Sequence, residues 1–157
     1  WIEDEVAFTA NLQQCFDFCA ANDALLTLGI TPTFPNTGFG YIEYDRDDVA
    51  PIKKVVRFRE KPDYDTAKAF IESGNFLWNG GIFIWSAAAI LRAFETFQPA
   101  MFKLLSEGES VYNTPQEQQF IDAHYAGAEN ISIDYAILEK AANVFVLPAT
   151  FDWNDLG

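Results

Sequence analysis

Leu25-Leu26-Thr27-Leu28-Gly29-Ile30, followed by Thr31-Pro32-Thr33-Phe34-Pro35-Asn36-Thr37-Gly38-Phe39-Gly40-Tyr41, is the stretch that decides the fold class. A short, nearly unbroken apolar run is the mark of a strand buried on both faces. The Pro, Thr and Gly residues from Thr31 to Gly40 exclude regular structure, and Tyr41 to Tyr44 reads as the next strand. Upstream, Ile2 to Asn22 reads as a helix whose apolar face holds Val6, Phe8, Leu12, Cys15, Phe16 and Cys19. Downstream, Ile52 to Glu60 reads as a strand stopped by Pro62, and Asp65 is the expected cap of a helix ending at Gly74. A strand around Ile82–Trp85 and a helix from Ala87 to about Phe97, capped by Ser86, come next. Weaker helical patterns cover Ala100–Leu105 and Pro115–Tyr125, Ser132 or Asn130 opens another helix, and Val144–Leu147 closes as a strand. Irregular alternation without repeat or linker predicts one α/β domain over residues 1–157, a mixed sheet flanked by helices.

Composition narrows the class. Half of the 157 residues are hydrophobic and 16% aromatic, which excludes disorder. The apolar runs are too short and broken to span a bilayer, and no signal-peptide pattern opens the chain, so a cytoplasmic location is expected. A net charge of −13 with only 10 basic residues argues against nucleic acid. It leaves room for a small phosphorylated ligand, where one Lys and a divalent cation compensate locally. Cys15 and Cys19 read as reduced thiols, and His124 has no partners at metal-ligand spacing.

Four segments carry residues suited to chemistry. Thr37-Gly38-Phe39-Gly40-Tyr41 is either an ordinary glycine turn or a place where a ligand meets the main chain. Arg59-Glu60-Lys61-Pro62 ends a strand: a carboxylate suits vicinal hydroxyls and an ammonium suits phosphate, though a surface charge pair also explains it. In Trp78-Asn79-Gly80-Gly81 the amide either bonds the backbone of a bulge or faces a polar ligand. Phe151-Asp152-Trp153-Asn154-Asp155-Leu156-Gly157 offers carboxylates for a hard cation, or an acidic turn. No P-loop, nucleophile elbow or zinc spacing occurs.

Taken in order, the segments resemble the sugar nucleotidyltransferases that make GDP-mannose. Leu28 to Ile42 is similar to that family's "LGI-PT-P-TGYGYI" segment. The likeness continues through Phe58-Arg59-Glu60-Lys61-Pro62, Trp78-Asn79-Gly80-Gly81-Ile82-Phe83, Ser132-Ile133-Asp134-Tyr135-Ala136-Ile137-Leu138-Glu139-Lys140 and Asp152-Trp153-Asn154-Asp155-Leu156-Gly157. The resemblance implies a Rossmann-like nucleotide-diphospho-sugar transferase fold and the conversion of mannose 1-phosphate and GTP, with Mg²⁺, to GDP-mannose and pyrophosphate. It implies that Glu60 bonds sugar hydroxyls and Lys61 the sugar phosphate, with the Gly40 backbone and Asn79 side chain completing the pocket. Asp155 matches a metal-binding aspartate, so Lys61 and Asp155 carry the catalytic roles, with Asp152 behind Asp155 and Asp134 assigned to structure. Phe39 stands where Tyr is usual, Gly80 where Ser is common and Arg59 where Val is frequent.

The family's Gly-rich signature and an Asp-His pair are not in this sequence, and it opens on Trp1. The expectation is a fragment, incomplete on its N-terminal side and inactive alone. Two alternatives stay open: a non-catalytic sugar-phosphate-binding or regulatory module, and a nucleotidyltransferase for another sugar 1-phosphate. A strand at Leu25–Ile30 missing its neighbours would leave apolar surface and favour a homo-oligomer.

Overall fold

The computed structural model describes residues 2–155, which fall into two compact units. The first comprises the chain up to Ala89 together with the segment from Ala142 onward; the second is Ile90–Ala141. Among the described residues no helix is long and apolar enough to cross a membrane.

The first unit opens on α1 (Glu5–Ala21), whose N-terminus is capped by Asp4 accepting from the Ala7 N–H at 2.9 Å. Phe8, Leu12, Cys15 and Cys19 of α1 join the core. Val6 and Phe16, expected on the same face, are 82% and 57% exposed, so the apolar stripe is narrower than the sequence suggests. Five strands follow: β1 (Leu25–Ile30), β2 (Tyr41–Tyr44), β3 (Lys53–Arg59), β4 (Phe76–Trp85) and β5 (Val144–Pro148). They close into a barrel in the order β1-β4-β2-β3-β5. Only β1 and β5 are parallel, with Leu25 opposite Val144 and Leu28 opposite Leu147; every other pair is antiparallel. The architecture is the expected α/β one with mixed pairing, but ring closure changes one expectation. β1 is buried along its whole length and hydrogen-bonded on both sides, by β4 and β5, so it presents no open edge.

α2 (Tyr64–Ser73) packs its buried Ala67 inward and stacks Phe70 on Phe76 of β4 at 4.0 Å. Its cap is Asp63, not Asp65: Asp63 accepts from the Thr66 N–H at 2.8 Å, and Asp65 lies within the first turn. The helix ends at Gly74, as expected. β4 begins at Phe76, well before the expected Ile82, because its first half pairs with β2 and its second with β1. The change of partner needs a bulge. Thr27 faces Phe83 and Gly29 faces Asn79, so Gly80, Gly81 and Ile82 stand opposite Leu28 alone. Gly81 takes φ 69°, a conformation costly for side-chain-bearing residues, and a β-carbon on Gly80 would sit 2.9 Å from the Leu28 carbonyl oxygen. Burying each large apolar side chain of the core, such as Leu26, Leu28 or Ile84, contributes roughly 1.5–3 kcal/mol.

α3 (Ala87–Phe97) starts at Ser86, whose hydroxyl accepts from the Ala89 N–H at 3.1 Å. The second unit, which begins within α3 at Ile90, contains α4 (Pro99–Ser106) and α5 (Glu117–His124). His124 stacks on Phe120 at 4.2 Å with Nδ1 2.8 Å from the Phe120 carbonyl oxygen, so the lone histidine packs within its own helix. The helix expected after Ser132 is a five-residue π-helical turn, Asp134–Leu138, with Asp134 at its start.

Candidate functional site

Because β1 and β5 are parallel and adjacent, the loops that leave them emerge at one end of the first unit. Ligand sites in α/β proteins form outside the carboxyl ends of such strands. Here the two loops bound a cleft of about 900 Å³. Thr31, Thr33 and Asn36 come from the first loop, and Asp152, Asn154 and Asp155 from the second. Its aromatic wall is Phe34, Phe39, Trp78 and Trp153, with Phe34 and Phe39 set edge-on to the Trp78 indole at 5.2 and 5.1 Å.

Both loops are anchored. Tyr41, fully buried, donates its hydroxyl to the Asn36 carbonyl at 2.9 Å and accepts the Asn36 N–H at 3.0 Å. Asn11 of α1, 5% exposed, donates Nδ2 to Thr150 Oγ1 and accepts the Thr150 N–H at Oδ1, each at 3.0 Å. Phe8 meets Phe151 edge-on at 5.2 Å, so α1 holds the loop that carries Asp152 and Asp155.

The second gathering lies on the opposite side of β4. Strand alternation sends Trp78 toward the aromatic wall and Asn79 toward Gly40 and Glu60. A β-carbon built on Gly40 would lie 2.5 Å from Glu60 Oε2 and 3.4 Å from Asn79 Cβ, and the Asn79 N–H donates to the Gly40 carbonyl at 2.8 Å. Gly40, Glu60 and Asn79 therefore meet at one point. Asn79 Oδ1 accepts from Gly81 N–H at 3.2 Å and lies 3.0 Å from Thr27 Oγ1, so the amide oxygen does bond the bulge. Glu60 follows β3 directly with its side chain 10% exposed, and Lys61 Nζ stands 3.5 Å from Glu60 Oε1 with its side chain 61% exposed. Lys61 adopts φ 43°, and this left-handed step turns the chain so that two successive side chains come together rather than pointing to opposite faces.

The expected site residues thus form two groups. Gly40, Glu60, Lys61 and Asn79 gather around the end of β3, while Asp155 lines the cleft beyond Trp78. The last two residues of its motif, Leu156 and Gly157, lie outside the described residues. Among the described residues no group of three or more His, Cys, Asp or Glu side chains is arranged to hold a metal ion. Cys15 and Cys19 are buried, and desolvation, reinforced by the Cys19 charge, pushes the Cys15 thiol up to about 12. Sequence reasoning missed Thr27 and Asn11. The available signals were a lone hydroxyl inside an apolar strand and an amide on the buried side of α1.

An α/β unit with a mixed sheet, a cleft over its parallel strand ends and a carboxylate–lysine pair packed against a glycine suits a nucleotidyltransferase domain. Residues 2–157 match the family model "Nucleotidyl transferase", and the chain belongs to that family. It is 34% identical to the mannose-1-phosphate guanylyltransferase RfbM of Salmonella typhimurium, over 99% of this chain and 33% of that protein. It is 38% identical to a mannose-1-phosphate guanylyltransferase of Sinorhizobium fredii, over 88% of this chain and 27% of that one. The chain spans about a third of the length of the curated relatives it matches. Among solved structures, a mannose-1-phosphate geranyltransferase from Thermus thermophilus superposes with a TM-score of 0.83 at 29% identity, covering 99% of this chain and 44% of that one. A mannose-6-phosphate isomerase from Helicobacter pylori gives 0.82 at 25% identity, covering 99% and 61%.

Proposed function

We propose that this chain is the sugar-phosphate side of a cytoplasmic mannose-1-phosphate guanylyltransferase, which joins mannose 1-phosphate to GTP with release of pyrophosphate. The observation that carries the reading is the meeting of Gly40, Glu60 and Asn79, with Lys61 beside Glu60. The Glu60 carboxylate accepts hydrogen bonds from vicinal sugar hydroxyls, and the Asn79 amide nitrogen donates to a further sugar oxygen. The missing β-carbon at Gly40 leaves the room that the Glu60 carboxylate occupies. The exposed Lys61 ammonium takes the phosphate.

Held at both ends, the sugar phosphate presents one phosphate oxygen to the α-phosphorus of GTP; the new P–O bond forms as the bond to pyrophosphate breaks. The protein's work in such a step is positioning and charge neutralisation. Asp155, with Asp152 nearby in the same cleft, suits a cation that keeps most of its waters and takes one or two protein carboxylates, as Mg²⁺ does. When bound, Mg²⁺ supplies Lewis acidity and offsets phosphoryl charge. This chain is expected to bind mannose 1-phosphate without turning it over.

The test is isothermal titration of mannose 1-phosphate into the chain, with and without Mg²⁺, alongside Glu60→Gln. Saturable binding that Glu60→Gln removes is the expected result. A folded chain that takes up no mannose 1-phosphate, or a variant that binds as well as its parent, overturns the reading.

A further inference from the structure

The ring of strands closes through two residue pairs only, Lys53 with Val146 and Lys54 with Phe145. Beyond them β3 runs on to Arg59 held on one side alone. β2 pairs with it from Arg59 back to Val55, and among the described residues nothing pairs with its other side over 55–59. In an antiparallel pair alternate residues turn their N–H and C=O away from the partner, so this stretch offers a row of donors and acceptors to another strand. Its side chains are open as well. Val56 is 63% exposed and the Arg57 side chain 56%, and Lys54 and Arg59 are also exposed.

The charge along this edge is opposite to that of the molecule. Lys53, Lys54, Arg57, Arg59 and Lys61 are five of the 10 basic residues in a chain of net charge −13. Cations on an edge strand oppose its pairing with a like strand. Two copies of β3 laid antiparallel about Arg57 would set that arginine against its own counterpart, which disfavours a second copy of this chain. An acidic strand is attracted instead. Arg57 and Arg59 share one face of β3 and Val56 lies on the other, so the complementary segment carries carboxylates at alternate positions with an aliphatic side chain between them. Glu43 engages Arg57 at Nε, 3.0 Å away, and the guanidinium carries further N–H donors for a second carboxylate.

We propose that the Val55–Arg59 edge of β3 is a docking site for an acidic, extended segment of a partner polypeptide, which adds to the sheet as a strand beside β3. Main-chain hydrogen bonds hold the segment, and Arg57, Arg59 and Val56 select its side chains. The surface uses neither the Glu60 carboxylate nor the cleft, so it stands if the sugar-phosphate reading fails.

The experiment titrates the whole chain, uniformly labelled with ¹⁵N, with the end-blocked peptide Glu-Val-Glu-Val-Glu at low ionic strength. The expected result is saturable shifts of the backbone amides over 55–59, with slower hydrogen exchange at alternate positions there. The same peptide methylated at every backbone nitrogen keeps its charge and loses the donors a ladder needs, and it should bind at least about tenfold more weakly. Arg59→Glu, at an exposed side chain, should weaken the parent peptide about fivefold, equivalent to about 1 kcal/mol. Absence of a saturable response in β3 overturns the proposal, as does a methylated peptide that binds equally well or an Arg59→Glu variant that binds unchanged. Amides over 55–59 that are already protected in the free chain, in a dimer seen by sedimentation, assign the edge to a second copy and overturn it too.

Discussion

A β-carbon on Gly40 would come within 2.5 Å of Glu60 Oε2, so the glycine and the carboxylate share one small volume. Gly40 does not need a left-handed backbone; it needs to be empty. Gly40→Ala should therefore displace the carboxylate and press the Phe58 ring, whose Cζ would stand 3.2 Å from the new β-carbon, lowering the melting temperature modestly. Charge-assisted hydrogen bonds are worth about 1.5–3 kcal/mol, so affinity for mannose 1-phosphate, measured calorimetrically, should drop at least about tenfold.

Lys61 holds φ 43°, a region that costs a residue bearing a β-carbon roughly 1–2 kcal/mol. Lys61→Gly should relieve that strain and raise the urea midpoint, while weakening mannose 1-phosphate binding. A variant that loses stability along with binding would show that the turn is held for packing rather than for the ammonium.

Thr27 is fully buried, with Oγ1 3.0 Å from Asn79 Oδ1 and 3.2 Å from the Ile82 carbonyl oxygen. Thr27→Val keeps the shape and removes the hydroxyl. The expected cost is about 1–3 kcal/mol in chemical denaturation, with weaker mannose 1-phosphate binding because the Asn79 amide is no longer oriented from below.

Asn11 and Thr150 are joined by two hydrogen bonds across 139 positions of sequence. Asn11→Ala should loosen the segment that carries Asp152 and Asp155. Faster amide hydrogen exchange at residues 149–155 and weaker Mg²⁺ binding in a calorimetric titration are the expected pair of outcomes.

The buried Cys15 thiol titrates near 12 instead of its ordinary 9.0, because desolvation disfavours the thiolate and the Cys19 charge adds to it. Burial likewise raises Cys19. Groups that hold their protons more tightly when folded stabilise the fold below the unfolded pKa. That stability is lost as pH rises from about 9 toward 12. Urea midpoints taken from about pH 7 to about pH 11 should decline above about pH 9, and iodoacetamide at about pH 8 should label neither thiol until the chain unfolds.

Much of the element order was legible in the chain because strands, turns and caps are encoded locally. The apolar run at Leu25–Ile30 can only be a strand covered on both faces, and the Pro-rich, Gly-rich stretch after it can only be a loop. Gly74 stops α2 for a reason contained in Gly74 itself. Local reading failed where two local solutions competed, as at Asp63 and Asp65, each able to cap α2. It failed also where period does not settle direction, as with Val6 and Phe16 on α1.

By itself the sequence determined the order of most strands and helices, and it brought Gly40, Glu60, Lys61 and Asn79 forward as candidates for a sugar-phosphate site. The tertiary structure decided everything that depends on partners distant along the chain. It closed β1 between β4 and β5 rather than leaving it as an edge, and broke β4 with a bulge that turns Asn79 Oδ1 onto Gly81. It also set Thr27 beneath Asn79 and left the Trp78 indole N–H without an acceptor among the described residues. The physical reason is one of range: period, caps and turns act over a few residues, whereas pairing register and the satisfaction of buried polar groups are properties of surfaces that meet only after folding.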